Sequence, residues 1–139
     1  MKKIFIILIL SIIIVGCNSP ERKANKLVDV YLKENLKDPS SYEFIKKGNL
    51  ELYTPMTMAV EQENKKINSG EASADTINEF LDHIKSYYIK NGTNPYDTLA
   101  WKLSIKYRAK NSFGGYDISQ IQYYFNKDVT KIIKTENIN

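Results

Sequence analysis

Polar and apolar residues alternate one by one in two runs of segment 99–125, and a loop with two adjacent glycines separates the runs. The large apolar members are Trp101, Leu103, Ile105, Tyr107, Ile121, Tyr123 and Phe125. A period of two is typical of strands with one buried face. Placing Lys110 opposite Tyr116 brings all of these residues to the same face. The segment therefore predicts a β-hairpin with one apolar and one polar face.

Residues 19–37 follow the helical period instead. Their apolar stripe consists of Ala24, Leu27, Val28, Tyr31, Leu32 and Leu36. Ser19 is a favourable N-cap and Pro20 a favourable first helical residue, whereas Pro39 disfavours helix at Asp38. We predict an amphipathic helix that covers the sheet, with a membrane-lying helix as the alternative.

The rest of the chain predicts an α+β fold. Residues 40–53 indicate one or two short strands with a bulge or break near Gly48. Residues 54–91 indicate two helices interrupted at residues 68–70, and residues 129–133 a last strand before a frayed end. The second of these helices has an apolar face of Ile77, Phe80, Leu81, Ile84, Tyr87 and Tyr88. We therefore expect residues 21–139 to form one domain. Its helices pack on an antiparallel sheet of about four strands that ends in a β-meander.

The N-terminus predicts export. Lys2 and Lys3 precede an apolar run over residues 4–15, which is too short to span a membrane but typical of a secretory signal. The run ends at Ile14-Val15-Gly16-Cys17, which resembles a bacterial lipobox. The resemblance implies removal of residues 1–16, a diacylglyceryl group on the Cys17 thiol, and an amine that can be acylated too. An ordinary signal peptide or an uncleaved anchor with an incidental cysteine is the alternative.

Residues 17–20 then form a very short lipidated tether, since two or three extended residues reach only about 10 Å. We expect the domain to sit close to the bilayer, where Arg22, Lys23 and Lys26 can meet anionic headgroups. The full chain carries a net charge of +4, and loss of Lys2 and Lys3 leaves a weakly basic domain. Such a balance is only weak evidence for a polyanionic partner.

Candidate catalytic groups are few, so we predict a protein that is not an enzyme and uses no cofactor or metal. His83 is the only histidine, and its helical spacing from Phe80 and Tyr87 favours a place beside the core over a general base. Cys17 is consumed by lipid. The carboxylates Glu61, Glu63, Glu79 and Asp82 fall on predicted helices, where solvated helix faces explain them. A cell-envelope hydrolase or transferase, or a purely structural lipoprotein, remain the alternatives.

The polar face of the predicted hairpin is the best candidate for binding. Its members are Lys102, Lys106, Arg108, Lys110, Tyr116 and Tyr124, accompanied by Gln120 and Gln122. Cations interleaved with tyrosines can hold anions, sugars or phosphorylated headgroups, but a solvated strand face produces the same pattern. In the loop, one of Gly114 and Gly115 is expected at positive φ. Phe113 at the loop tip either folds back onto the domain or contacts a partner.

Two segments, 36–43 (LKDPSSYE) and 108–116 (RAKNSFGGY), resemble small bacterial envelope proteins and lipoproteins of uncharacterised function. The resemblance implies an α+β envelope domain and assigns no ligand residues. We therefore predict an extracytoplasmic binding or accessory module held to the lipid bilayer through acylated Cys17. Its partner would be an envelope protein or polyanion and not nucleic acid. Because Asn18 is not the aspartate of inner-membrane retention, the outer membrane is favoured if the source is Gram-negative.

Overall fold

The structure of the protein is a computed structural model that describes residues 19–138. The helices are α1 (Pro20–Asn35), α2 (Pro55–Ser69) and α3 (Ile77–Lys90), with 3₁₀ helices at Pro39–Ser41 and Ala74–Thr76. The strands are β1 (Glu43–Lys47), β2 (Glu51–Tyr53), β3 (Ala100–Lys110), β4 (Tyr116–Phe125) and β5 (Ile132–Asn137). The predicted signal peptide and Cys17 lie outside the described residues.

The α+β class predicted from the sequence is confirmed. The strands form an antiparallel sheet in the order β1-β3-β4-β5, and β2 also pairs with β3. There are five strands in the described part rather than about four, because the segment around Gly48 forms two strands. Contacts group the chain into two compact units. The first comprises the described residues up to Leu50 and from Leu103 onwards, and the second comprises Glu51–Lys102.

In the first unit, α1 lies against one face of the sheet. Ser19 caps the helix by accepting a hydrogen bond from the Arg22 amide at 3.3 Å, and Pro20 opens it, as predicted. The helix buries Ala24, Val28 and Leu32, and the sheet contributes Leu103, Ile105, Tyr107, Ala109, Tyr123 and Phe125 to the same core. The ring of Tyr31 meets that of Tyr123 edge-on at 5.5 Å. Burial of these side chains holds helix and sheet together.

The last strand differs from its prediction. We expected it at residues 129–133 with a frayed end beyond, but β5 begins at Ile132 and continues to Asn137. Its residues pair with β4, and Ile121 stands opposite Asn137. The hydrogen bonds between the two strands order residues that the sequence predicted to be frayed. Val129 instead lies in the preceding turn with φ of 51° and is buried.

The second unit contains β2, α2, α3 and the start of β3. Thr54 and Thr57 form a capping box at the start of α2, and Gly70 ends that helix with φ of 78°. No residue of the predicted apolar face of α3 is fully buried: Tyr87 is 59% exposed, and the other five members are half-buried. So small a unit encloses little surface, which leaves this face half open.

Candidate functional site

Four of the predicted binding residues lie together in the first unit. Along β3, Leu103, Ile105, Tyr107 and Ala109 are buried on the face that α1 covers, whereas Lys106, Arg108 and Lys110 alternate with them on the outer face. The guanidinium of Arg108 lies 5.1 Å from the ring centre of Tyr116, and the Lys110 ammonium lies 5.9 Å from it. The alternation in the sequence therefore identified an outward-facing row of cations.

Lys102 is different, because carboxylates already hold it within the second unit. Its ammonium contacts Glu61 and lies 3.3 Å from Glu51. Burial acts to lower the pKa of Lys102, but the hydrogen bonds and charges of Glu61 and Glu51 outweigh burial and raise it. The lysine side chain is only 16% exposed. Lys102 thus serves a local ion-pair cluster and is not available to an outside ligand.

Tyr124 was predicted on the exposed face, and this prediction is wrong. The residue is only 6% exposed. Its hydroxyl donates to Glu136 Oε2 at 2.8 Å, and the Lys134 ammonium lies 5.2 Å from its ring centre. Both partners come from the part of β5 that lies beyond the last strand predicted from the sequence. The tyrosine is therefore a structural residue under β5 side chains.

The structure adds a residue that sequence analysis did not single out, Lys46 on β1. The register of β1 against β3 shifts between Phe44 and Lys46, which is the signature of a β-bulge. After the shift, Lys46 stands directly opposite Lys106, while Lys47 stands opposite Ile105 on the face covered by α1. No sequence signal identifies Lys46 as the partner of Lys106, because the bulge and the strand pairing together decide it.

Lys46 and Lys106 line a cleft of about 310 Å³ with Gly48, Ser104 and Gln120. The Gly48 amide donates to the Ser104 carbonyl at 2.9 Å, and the Gln120 side chain donates to the Ser104 hydroxyl at 3.2 Å. In the described part of the chain, neither lysine takes part in an ion pair. Two ammonium groups beside hydroxyl and amide groups can hold a phosphate or carboxylate.

Two residues farther along β3, opposite charges face each other across the strands instead of like charges. Glu43 stands opposite Arg108, and its carboxylate accepts hydrogen bonds from the Arg108 Nε and Nη2 at 2.8 and 2.5 Å. Arg108 is therefore balanced by its own cross-strand partner. The outer face of β1 and β3 thus holds one satisfied pair of opposite charges and one pair of like charges.

The hairpin tip presents Phe113, which is 97% exposed. Asn111 closes the loop. Its backbone amide donates to the Gly115 carbonyl at 2.7 Å, and its side-chain oxygen accepts hydrogen bonds from the backbone amides of Phe113 and Gly115. The prediction of a positive φ is confirmed at Gly114, whose φ is 82°. The ring does not fold back onto the domain.

The remaining candidates lie on α2 and α3. His83 is exposed on α3, so the prediction that it borders the core is wrong. Glu61 contacts Lys102, and Glu63, which is buried rather than solvated as predicted, lies 3.1 Å from the Lys66 ammonium. That range holds no group of three side chains suited to a metal ion.

None of the helices described is both long and apolar enough to cross a bilayer. Comparison of the chain with protein-family models, with curated proteins and with solved structures finds no significant match.

Proposed function

We propose that this protein is a lipid-anchored binding module of the bacterial cell envelope, and that it holds an anionic ligand in the cleft of Lys46 and Lys106. Its anchor is an acylated Cys17, and its domain is extracytoplasmic, at the outer membrane if the source is Gram-negative. It acts as a binding or accessory protein and catalyses no reaction.

The observation that carries the proposal is the pairing of Lys46 with Lys106 across neighbouring strands. Like charges directly opposite each other destabilise a sheet. Within the described residues no carboxylate forms an ion pair with either lysine, although β1 and β3 do place Glu43 against Arg108. An anion from outside would relieve this repulsion and gain two charge-assisted hydrogen bonds.

The form of the cleft favours a polyanion over a small enclosed ligand. The cleft lies on a sheet face rather than in the interior, and beyond the balanced pair of Glu43 and Arg108 that face carries a further cation at Lys110. A chain of phosphate or carboxylate groups can occupy the cleft and extend along the row. The class of ligand that we propose is therefore an anionic polymer of the envelope.

Binding of linear polyphosphate, with inorganic phosphate as the small probe, tests the proposal on protein purified from its own membrane in detergent. We expect saturable binding of polyphosphate at one site. Lys106→Gln should weaken it about tenfold or more, because a hydrogen bond to a charged group contributes about 1.5–3 kcal/mol. Lys110→Gln removes the same charge from the same strand outside the cleft and should have a smaller effect.

Gly48→Val tests whether binding depends on the shape of the cleft or only on the positive charge around it. A Cβ on Gly48 would lie 3.6 Å from Ser104, which is an ordinary contact, so the larger side chain narrows the cleft and leaves both lysines in place. We expect weaker polyphosphate binding in this variant too. Equal binding by the wild type and by Lys46→Gln/Lys106→Gln would refute the proposed site.

The anchor has its own test. Mass spectrometry of the mature protein should show a chain that begins at an acylated Cys17, and Cys17→Ser should abolish the acyl mass and the processing. A parent chain that carries no acyl group would refute the anchor.

A further inference from the structure

The solvent-facing side of α1 carries a line of cations. Arg22, Lys26 and Lys33 fall on the side opposite the buried Ala24 and Leu32. We call these three residues the basic ridge. Between them lies Val30, an apolar side chain that is 52% exposed. The basic ridge thus combines positive charge with apolar surface along the length of the helix.

One of the three acidic residues of α1, Glu21, is paired with a cation of the sheet. Glu21 pairs with Lys47 at 2.7 Å, and Asp29 lines a cleft with Tyr42. Asp29 and Glu34 are exposed, and these two carboxylates stand against the four cations of α1, which are Arg22, Lys23, Lys26 and Lys33. The outer side of α1 therefore keeps an excess of positive charge.

The hairpin tip reaches the far end of the same helix. Lys37, just beyond α1, donates a hydrogen bond from its ammonium to the Ser112 hydroxyl, next to the exposed Phe113. Sixteen helical residues, with about 1.5 Å of rise each, separate this end from Pro20 by about 24 Å. Phe113 and the tether at Ser19 therefore lie at opposite ends of the basic ridge.

We infer that the basic ridge and Phe113 form one surface that lies on an anionic lipid bilayer. Basic residues near a bilayer are drawn to anionic headgroups, and an aromatic ring at a loop tip can enter the interface. The inference rests on the proposed Cys17 anchor, which would leave only Asn18 and Ser19 between the lipid and α1. The helix then runs along the bilayer, with lipid at one end and Phe113 inserted at the other.

Charge argues against a second copy of the chain as the occupant of this surface. A symmetric contact would bring two basic ridges together, and like charges repel. Anionic headgroups are complementary to the basic ridge along its whole length. The orientation also has a consequence for Lys46 and Lys106, which lie on the sheet face opposite α1. That face is directed away from the headgroups and toward the rest of the envelope.

The test uses the full chain as the cell produces it, reconstituted in phosphatidylcholine vesicles with or without equimolar phosphatidylglycerol. Phe113→Trp adds one tryptophan to the single native Trp101. Lipids brominated on their acyl chains quench a tryptophan that enters the bilayer. In vesicles with phosphatidylglycerol we expect the tryptophan emission of the Phe113→Trp chain to shift to shorter wavelength. We also expect the brominated lipids to quench its emission more strongly than that of the chain without this substitution. In phosphatidylcholine alone we expect this excess quenching to be lost.

Lys26→Glu/Lys33→Glu, introduced into the Phe113→Trp chain, should abolish the excess quenching. Lys85→Glu/Lys90→Glu, on the exposed side of α3, changes the charge equally and should leave it intact. Quenching that survives reversal of the basic ridge, or an introduced tryptophan whose emission stays water-like in anionic vesicles, overturns the inference. Acyl mass on Cys17 is measured in the same samples, so failure of the anchor and failure of the basic ridge are distinguishable.

Discussion

The two faces of the sheet in the first unit differ in their chemistry. The face under α1 holds Leu103, Tyr123 and Phe125, which are 0% exposed. The outer face places Lys46 opposite Lys106 in an open cleft. Burial of apolar side chains on the inner face stabilises the fold, whereas a like-charged pair on the outer face reduces stability. Stability accounts for the inner face, whereas the outer face carries the lysine pair for which we propose an anionic ligand.

The outer face contains its own internal control. Glu43 and Arg108 show that the same two strands can hold a pair of opposite charges. The repulsion at Lys46 and Lys106 is therefore not imposed by the backbone. Substitutions at Leu103, Tyr123 and Lys46 test the contrast between the faces, in order of decreasing expected effect on stability.

Leu103→Ala on the inner face should lower the free energy of unfolding by about 2–5 kcal/mol, because it removes buried methyl groups and leaves a cavity. Denaturant unfolding followed by circular dichroism measures the change. Lys106→Ala, three residues along the strand on the outer face, is the control and should shift the free energy by less than about 0.5 kcal/mol. Equal losses from both substitutions would contradict the division between the faces.

Tyr123→Phe should stabilise the protein. The Tyr123 hydroxyl is buried and has no hydrogen-bond partner among residues 19–138, and such a group carries a penalty of about 1–3 kcal/mol. Removing it keeps the ring against Tyr31. Thermal unfolding should therefore move to higher temperature, and a lower midpoint would show that the hydroxyl is favourably placed.

The same variant changes the response to alkali. Burial raises the pKa of Tyr123 above the ordinary tyrosine value of 10.0. A raised folded-state pKa contributes stability that is present below pH 10 and is lost as pH rises above it, because the unfolded chain ionises first. In alkali, the free energy of unfolding of Tyr123→Phe should therefore fall less steeply with pH than that of the wild type, by up to about 1.4 kcal/mol per pH unit. Identical slopes for the two chains would contradict the assigned burial effect.

Lys46→Glu has the smallest expected effect on stability. It replaces a like-charged pair with an opposite one, and cross-strand pairs contribute about 0.2–1 kcal/mol. We expect a slightly higher free energy of unfolding together with loss of polyphosphate binding. Lys46→Gln, which removes the repulsion without adding attraction, should fall between Lys46→Glu and the wild type in stability. A destabilised Lys46→Glu would show that the two lysines do not repel each other.

Local patterns predicted the parts of the fold that nearby residues control. The limits of α1 follow from Ser19, Pro20 and the Asp38-Pro39 step, and the turn follows from Gly114. The hairpin follows from the period of two in its apolar residues. Each of these features depends on interactions within a few residues.

Long-range pairing decided the features that the sequence did not reveal. Tyr124 is buried because β5 supplies Lys134 and Glu136, and β5 extends to Asn137 because β4 pairs with it. Lys46 faces Lys106 because a bulge shifts the register of β1. Local patterns predicted the meander of the last three strands, but they do not encode the register or the extent of the pairing.

By itself, the sequence determined the α+β class, the amphipathic first helix, the hairpin and its row of outward-facing cations. These features depend on periodicity and on backbone preferences, which act over short distances along the chain. Only the tertiary structure decided which cations keep carboxylate partners and which stand against each other. Charge balance at a site depends on side chains that are distant in sequence and meet only through strand pairing.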